Sequence, residues 1–157
     1  SNFRAQDIER VVDATGVVPA VNQIELHPLL QQSDLRAHAG TRGIVTESWS
    51  PLAHGGDLLV HPVLQAIAAK HGKSVAQVVL RWHVQSGLVA IPKSVTPARM
   101  AENAAIFDFS LDEGDMAKVA TLDAGKVHDT NKVFVRMKTR HFKRASSYKV
   151  KFEIWRD

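Results

Sequence analysis

Strand-like and helix-like segments alternate along this chain from residue 4 to residue 122. Apolar runs bounded by turn residues predict strands at 18–26, 44–52 and 88–91, the last of them buried. Apolar residues at helical spacing predict helices at 4–15, 62–71 and 74–85. Capping residues add helices at 97–106 and 110–122, and a short, weakly patterned one is predicted at 31–39. Strands that alternate with helices favour βαβ units and a parallel sheet. Repeated right-handed crossovers curl such a sheet towards a barrel, so the fold class is α/β.

Capping residues define the ends of several predicted helices. The predicted N-caps are Ser33, Ser74, Thr96 and Ser110. Glu113 stands at the capping-box position of the last helix, and Pro97 fits the first position of the helix that follows Thr96. Gly16 fits the C-cap of the first helix. Residues 53–57, which read AHGGD, predict a flexible loop after the second strand.

A break in composition divides the chain near Gly125. Residues 1–125 hold 10 Lys or Arg and 13 Asp or Glu, a net charge of −3, whereas residues 126–157 hold 10 and 3, a net charge of +7. The basic character of the chain therefore belongs to its last 32 residues. We predict a domain at 1–125 and an atypical basic C-terminal tail at 126–157.

The tail interleaves its basic residues with aromatic ones. A basic stretch of this kind is compatible with nucleic-acid binding, which stays open as an alternative function. The favoured interpretation is a disordered or accidental extension, such as an out-of-frame or fused end. We therefore assign no function to the tail.

Composition excludes several other classes of protein. The chain contains no cysteine, which excludes disulfides and thiolate chemistry and is compatible with a cytoplasmic location. No run of about 18 apolar residues predicts a transmembrane helix, and no signal peptide is visible at the N-terminus. His27, beside a proline after a strand, invites a metal-site interpretation, but no metal site is expected there.

The segment 91–103 combines the residue types of an anion site. Lys93, Ser94 and Thr96 follow the end of a strand, and Arg99 lies on the first turn of the next helix. A cation, two hydroxyl groups and an open helix N-terminus suit a phosphate. The residue types alone fit an ordinary strand-to-helix turn, with a solvated lysine and arginine, about equally well.

Four segments taken together resemble the aldo-keto reductase family. They read SNF at 1–3, VNQIELHP at 21–28, ESWSPL at 47–52 and IPKSVTPARMAEN at 91–103. The last resembles the nucleotide-binding signature of the family, and the whole is similar to bacterial members of the 2,5-diketo-D-gluconate reductase type. The resemblance runs to about residue 123. It implies the C-terminal half of a TIM (β/α)8 barrel, with three to four βα units and the end of a strand at residues 1–3.

The resemblance also implies a nicotinamide cofactor. Lys93 and Arg99 match contacts on the adenosine 2′-phosphate, which a point cation and a guanidinium fork both suit, so NADPH is expected rather than NADH. The other residues matched at this end are Ser94 and Thr96, as hydroxyl donors, and Glu102 and Asn103, at the adenine.

A second set of residues matches the nicotinamide and pyrophosphate contacts of the family. Trp49 occupies the position where an aromatic ring stacks on the nicotinamide. The matched ligands of the carboxamide are Ser1, Asn2 and Gln23. Ser50 and Leu52 correspond to a segment that straps over the pyrophosphate. Without the resemblance, Asn2 would be interpreted as a turn residue, and Gln23 and Trp49 would be interpreted as core residues.

Members of the family reduce aldehydes and ketones to alcohols by hydride transfer. A tyrosine donates the proton, assisted by a lysine, an aspartate and a histidine, and all four come from the N-terminal half. The only tyrosine here is Tyr148, in the tail. We therefore assign no catalytic residue, and expect a chain that starts within the fold, retains cofactor binding and is inactive alone.

A non-enzymatic interpretation stays open beside this one. Half of a barrel exposes sheet edges, and exposed edges invite pairing with another chain. The alternative is therefore a half-barrel that self-associates or binds a partner. For the enzymatic interpretation, the implied partner is a small carbonyl substrate, with no membrane partner and nucleic acid as the weaker possibility.

Overall fold

The computed structural model describes residues 1–125, which form seven α-helices and three β-strands. In chain order these are α1 (Ala5–Thr15), β1 (Val21–Glu25), α2 (Ser33–Thr41), β2 (Val45–Trp49), α3 (Gly56–Leu59), α4 (Pro62–His71), α5 (Val75–Gln85), β3 (Val89–Ala90), α6 (Pro97–Ala104) and α7 (Glu113–Ala120). The predicted alternation of strands and helices is confirmed, and α3 is an additional short helix. The predicted tail 126–157 lies outside the described residues. Within residues 1–125, no helix has the length and apolar character needed to cross a membrane.

The three strands are parallel and pair in the order β1–β2–β3. Each strand is added beside the preceding one, which is the winding of a (β/α)8 barrel and not of a doubly wound sheet. At the other edge of β1, the N–H of Asn2 donates to the carbonyl oxygen of Gln23 at 2.8 Å. Residues 1–3 therefore lie where the end of a further strand would pair with β1. The expected partial barrel is the observed architecture.

One face of the sheet carries the main hydrophobic core. Ile24 and Leu26 are buried there against residues of α4 and α5, among them Leu64, Val79 and Trp82. Burying side chains of this size contributes about 1.5–3 kcal/mol each, so this face dominates the stability of the fold.

The opposite face of the sheet is uncovered within residues 1–125. Val21, Val45, Val89 and Ile91 remain 43–47% exposed. The prediction of a buried third strand at 88–91 is therefore wrong for Val89 and Ile91. The reason is positional, because β3 is short, pairs with β2 alone among the described strands and presents these side chains to the uncovered face.

Two predicted helix caps are confirmed by their geometry. The Ser74 hydroxyl accepts from the N–H of Gln77 at 3.3 Å, and the Gln77 side chain accepts from the N–H of Ser74 at 3.0 Å, which is a complete capping box. Gly16 ends α1 in the left-handed conformation, with φ of 69°. Thr96 is the N-cap of α6, but its side chain makes no capping hydrogen bond.

Two other predicted caps are wrong. Ser33 is the first residue of α2, and Gln32 precedes it as the N-cap. The last helix starts later than predicted, because Asp112 and not Ser110 is its N-cap. The Asp112 carboxylate accepts from the N–H of Asp115 at 2.9 Å. Asp112 is the better cap because its carboxylate interacts more favourably with the helix dipole than the hydroxyl of Ser110 would.

A buried carboxylate joins α7 to α4. Asp115 is 1% exposed and lies 2.7 Å from His71 Nε2 and 2.9 Å from Lys70 Nζ. Burial alone would raise the pKa of Asp115. Hydrogen bonds from His71, Lys70 and the N–H of Asp112 outweigh burial and lower the pKa to about 2. The carboxylate is therefore ionised and acts as a structural link.

Candidate functional site

A cavity of about 800 Å³ lies beyond the carboxyl end of β3. Seven of the twelve residues predicted to bind a cofactor line it: Leu52, Lys93, Ser94, Thr96, Arg99, Glu102 and Asn103. The remaining lining comes from Val95, from the loop after β2, from α3 and from the start of α5. Ligands of parallel α/β proteins bind at the carboxyl ends of strands, so the cavity has the expected location.

The segment between β3 and α6 places cationic and hydroxyl groups near the N-terminus of α6. The Ser94 hydroxyl accepts from the N–H of Thr96 at 3.2 Å, which shapes the turn. The N-cap side chain makes no capping hydrogen bond to α6, so among residues 1–125 no side chain accepts from its first N–H groups. Lys93 and Arg99 add two positive charges to the lining, and Glu102 adds one negative charge. The net charge and the helix dipole both favour an anion.

Helix α6 is held in place by polar contacts, since none of its residues is buried. Gln77 of α5 donates from Nε2 to the Glu102 carbonyl oxygen at 3.3 Å and to the Ala105 carbonyl oxygen at 2.9 Å. The same side chain completes the capping box of α5. Gln77 was not predicted as a site residue, and no local sequence signal identifies its second role. It aligns the start of α5 with the end of α6.

A second group of predicted residues meets on the uncovered face of the sheet. The Trp49 indole N–H donates to Asn2 Oδ1 at 2.8 Å. Gln23 lies opposite Glu47 in the register of β1 and β2, and its amide nitrogen donates to the Glu47 carboxylate. Ser1 is exposed next to Asn2 and does not line the cavity. The structure thus brings Asn2 and Trp49 together at the carboxyl end of β2, next to Gln23 in the middle of β1.

Sequence reasoning missed Glu47 as part of this group. The residue belongs to the ESWSPL segment, but its pairing with Gln23 depends on strand register, which the sequence leaves open. Its side chain is partly exposed on the same face as the predicted ligands.

The segment 50–56 leads from Trp49 to the cavity through several residues with positive φ. Ser50, Ala53 and His54 have φ of 48°, 46° and 56°, and Gly55 has φ of 90°. The Ser50 hydroxyl and His54 Nε2 are 2.9 Å apart. Left-handed conformations cost non-glycine residues about 1–2 kcal/mol each, so the segment is held under strain. The predicted flexible loop is thus a tight turn, from which α3 begins at Gly56.

Another cavity, of about 670 Å³, lies at the opposite end of the strands. Residues of α2 and the segments that precede β2 and β3 line it. Its cation is Arg36, whose pKa burial lowers. None of the predicted site residues lines it. Within residues 1–125, no group of three or more His, Asp or Glu side chains is arranged to hold a metal ion in either place.

The winding of the sheet and the cavity beyond its strands define the class of protein, part of a (β/α)8 barrel. A sequence model of the Aldo/keto reductase family matches residues 1–124. Methylglyoxal reductase DkgA of Salmonella typhimurium is 53% identical over 126 residues, which are 80% of this chain and 46% of the relative. The chain belongs to the aldo/keto reductase family.

Solved structures agree with this assignment. The crystal structure of an aldo/keto reductase from Brucella melitensis matches with a TM-score of 0.73 and 52% identity, over 78% of this chain and 46% of that one. A variant of Gox0644 in complex with NADPH matches with a TM-score of 0.78 and 48% identity, over 83% and 50% of the two chains. The chain thus spans about half the length of the relatives that it matches.

Proposed function

We propose that this chain forms the cofactor-binding part of an NADPH-dependent oxidoreductase that reduces aldehydes or ketones to alcohols. The observation that carries the proposal is the 800 Å³ cavity, which gathers seven of the predicted cofactor residues beside an uncapped helix N-terminus. Family membership supports the reaction class. The solved complex of the Gox0644 variant supports NADPH as the cofactor.

In this proposal the cavity binds the adenosine end of the cofactor. Lys93 and Arg99 neutralise the 2′-phosphate, which distinguishes NADPH from NADH. Ser94 and Thr96 donate from their hydroxyl groups. The residues assigned to the adenine are Glu102 and Asn103, and those assigned to the pyrophosphate are Ser50 and Leu52.

The nicotinamide end of the cofactor is assigned to the group on the uncovered sheet face. Trp49 offers a flat apolar surface for the ring. Ser1, Asn2 and Gln23 hold the carboxamide, which fixes the face of the ring that meets the substrate. NADPH, when bound, supplies the hydride, and the protein has to deliver a proton to the carbonyl oxygen.

The proton donor is the part of the mechanism that residues 1–125 do not contain, since the single tyrosine of the chain is Tyr148. General-acid assistance contributes about 10²–10⁴-fold to such a step. The 157-residue chain on its own is therefore proposed to bind NADPH without efficient turnover. Its substrate class, small carbonyl compounds, and its cytoplasmic location remain predictions.

The test is a fluorescence titration of the purified chain with NADPH and NADH. Lys93→Ala and Arg99→Ala should each weaken NADPH binding about tenfold, because each removes a charge-assisted hydrogen bond. NADH binding should change little. Lys118→Ala, an exposed lysine on α7, is the matched control and should behave as wild type. Equal NADPH affinity in all three variants, or no binding to wild type, would overturn the cofactor assignment.

A turnover assay with methylglyoxal tests the second part of the proposal. The substrate is chosen because a relative is named a methylglyoxal reductase. NADPH oxidation by the 157-residue chain should not exceed the rate without protein. Turnover that is lost in Arg99→Ala would refute the inactivity of the chain while supporting its cofactor site.

Self-association is the second candidate role, and the uncovered sheet face favours it. Val21, Val45, Val89 and Ile91 present apolar side chains to solvent, and exposed apolar patches mark contact sites. Light scattering should then give a mass that rises with concentration, and Val89→Lys should lower that mass. A monomer at all concentrations would refute this role. The nucleic-acid alternative rests on the tail, outside the described residues, and gains no support.

A further inference from the structure

The orientation of two side-chain amides on the uncovered sheet face is fixed by the chemistry of their partners. Glu47 carries a carboxylate, which only accepts hydrogen bonds, so the Gln23 atom that faces it is the amide nitrogen. The Trp49 indole only donates, so the Asn2 atom 2.8 Å away is the amide oxygen. Each partner therefore leaves one particular end of the amide available.

The two available ends are complementary. Within residues 1–125, no hydrogen bond engages the side-chain carbonyl oxygen of Gln23, whose amide hydrogen is committed to Glu47, so this oxygen can accept from a ligand. Among the same residues nothing accepts from the NH2 group of Asn2, whose side-chain carbonyl oxygen is engaged by Trp49, so this group can donate. The backbone brings the two residues together, because the Asn2 N–H donates to the Gln23 carbonyl oxygen at 2.8 Å. A primary carboxamide has one acceptor and one donor group and matches this pair in a single orientation.

We propose that Glu47 is a positioning residue that holds Gln23 so that its carbonyl oxygen accepts from the NH2 group of the cofactor carboxamide. Asn2, held by Trp49, donates to the carbonyl oxygen of the same carboxamide. Glu47 thereby makes the site selective for an unmodified carboxamide. This inference rests on the proposed NADPH-binding function and adds a residue and a direction to it.

The experiment compares NADP⁺ with its 3-acetylpyridine analogue, which keeps the carbonyl oxygen but has a methyl group in place of NH2. Wild type should bind NADP⁺ about tenfold more tightly, since the analogue leaves the Gln23 oxygen without a donor. In Glu47→Gln the partner can both donate and accept, so the Gln23 amide can turn. The preference should then fall to about twofold.

Two further variants separate this role from a loss of structure. Glu113→Gln makes the same change at an exposed position on α7 and should keep the tenfold preference. Asn2→Asp keeps the acceptor for Trp49 but removes the donor, so it should weaken NADP⁺ and the analogue equally. Circular dichroism at the titration temperature establishes that each variant is folded.

The outcomes are distinguishable from a failure of the proposed function. If wild type binds neither dinucleotide, the cofactor assignment itself fails. If wild type binds both with equal affinity, the contact of Gln23 with the carboxamide NH2 group is refuted, and the role of Glu47 with it. If folded Glu47→Gln retains the full preference, only the role of Glu47 is refuted. The wild-type comparison needs no variant, so the inference is tested even if Glu47→Gln does not fold.

Discussion

Mild acid should destabilise this fold through His83. The imidazole is 0% exposed in α5, with Nδ1 2.8 Å from the Val79 carbonyl oxygen and Nε2 3.2 Å from the Leu26 carbonyl oxygen. Burial lowers the pKa of His83 from 6.5 to about 4, although both carbonyl groups act in the opposite direction. The ring is therefore neutral in the folded chain at neutral pH and donates to one of the two carbonyl groups at a time.

Proton linkage gives the sign and the size of the effect. Below pH 6.5 the unfolded chain binds a proton at this position that the folded chain does not bind until about pH 4. The free energy of unfolding is therefore unaffected above pH 6.5, falls with decreasing pH and levels off near pH 4. The difference between the two pKa values corresponds to about 3 kcal/mol, of which about 2 kcal/mol is lost by pH 5.

The assay is urea unfolding followed by circular dichroism at pH 7.5 and pH 5. His83→Gln cannot titrate and should lose about 2 kcal/mol less than wild type over this interval. His54→Gln, at an exposed histidine, should lose as much as wild type. Asp115 does not interfere, because its lowered pKa of about 2 confines its loss of stabilisation to the range below about pH 4. An identical loss in His83→Gln and wild type would refute the reasoning.

Three further expectations concern stability at pH 7.5, measured by the same urea unfolding. Gly40→Ala should raise the free energy of unfolding by about 0.5 kcal/mol, since alanine favours the helix and the added Cβ meets no atom within 4 Å. Gly72→Ala should lower it by about 1 kcal/mol, because the φ of Gly72 is 62°. Asp115→Asn should cost about 2 kcal/mol, since it weakens charge-assisted hydrogen bonds to a buried group. Leu64→Ala should cost about 3 kcal/mol, because the side chain is fully buried in the main core.

Matched variants give these measurements their controls. Val60→Ala truncates a side chain that is 62% exposed and should stay within about 0.5 kcal/mol of wild type, in contrast to Leu64→Ala. Glu113→Gln removes an exposed charge on the helix that carries Asp115 and should have a similarly small effect. If Gly40→Ala and Gly72→Ala changed the free energy of unfolding in the same direction, the strain expected for alanine at the positive φ of residue 72 would be contradicted.

Local signals in the sequence predicted the helices most accurately. The helix at 62–71 has the observed bounds of α4, and the cap at Ser74 is the observed one. Strand bounds were less accurate, since 18–26 and 44–52 shortened to Val21–Glu25 and Val45–Trp49. Helix ends depend on nearby residues along the chain, whereas a strand ends where its partner strand ends.

The residues of the candidate site also divide into those that neighbouring residues in the sequence predict and those that only the folded structure reveals. The residues of segment 91–103 are close in sequence, and their shared cavity could be anticipated from a strand end followed by a helix start. Glu47 and Gln77 could not be identified, because each acts on a residue more than twenty positions away. Their partners are determined by strand register and by the packing of α5 against α6.

Residue order along this chain was enough to specify a parallel α/β architecture, to predict an anion site after the third strand and to indicate membership of an enzyme family. These properties follow from periodicity, capping and short segments, all of which act between near neighbours. Packing in three dimensions settled the rest: which sheet face is uncovered, how Asn2 and Gln23 present their amides and why His83 is neutral. Each of these depends on desolvation or on a hydrogen bond between distant segments, and neither exists until the chain has folded.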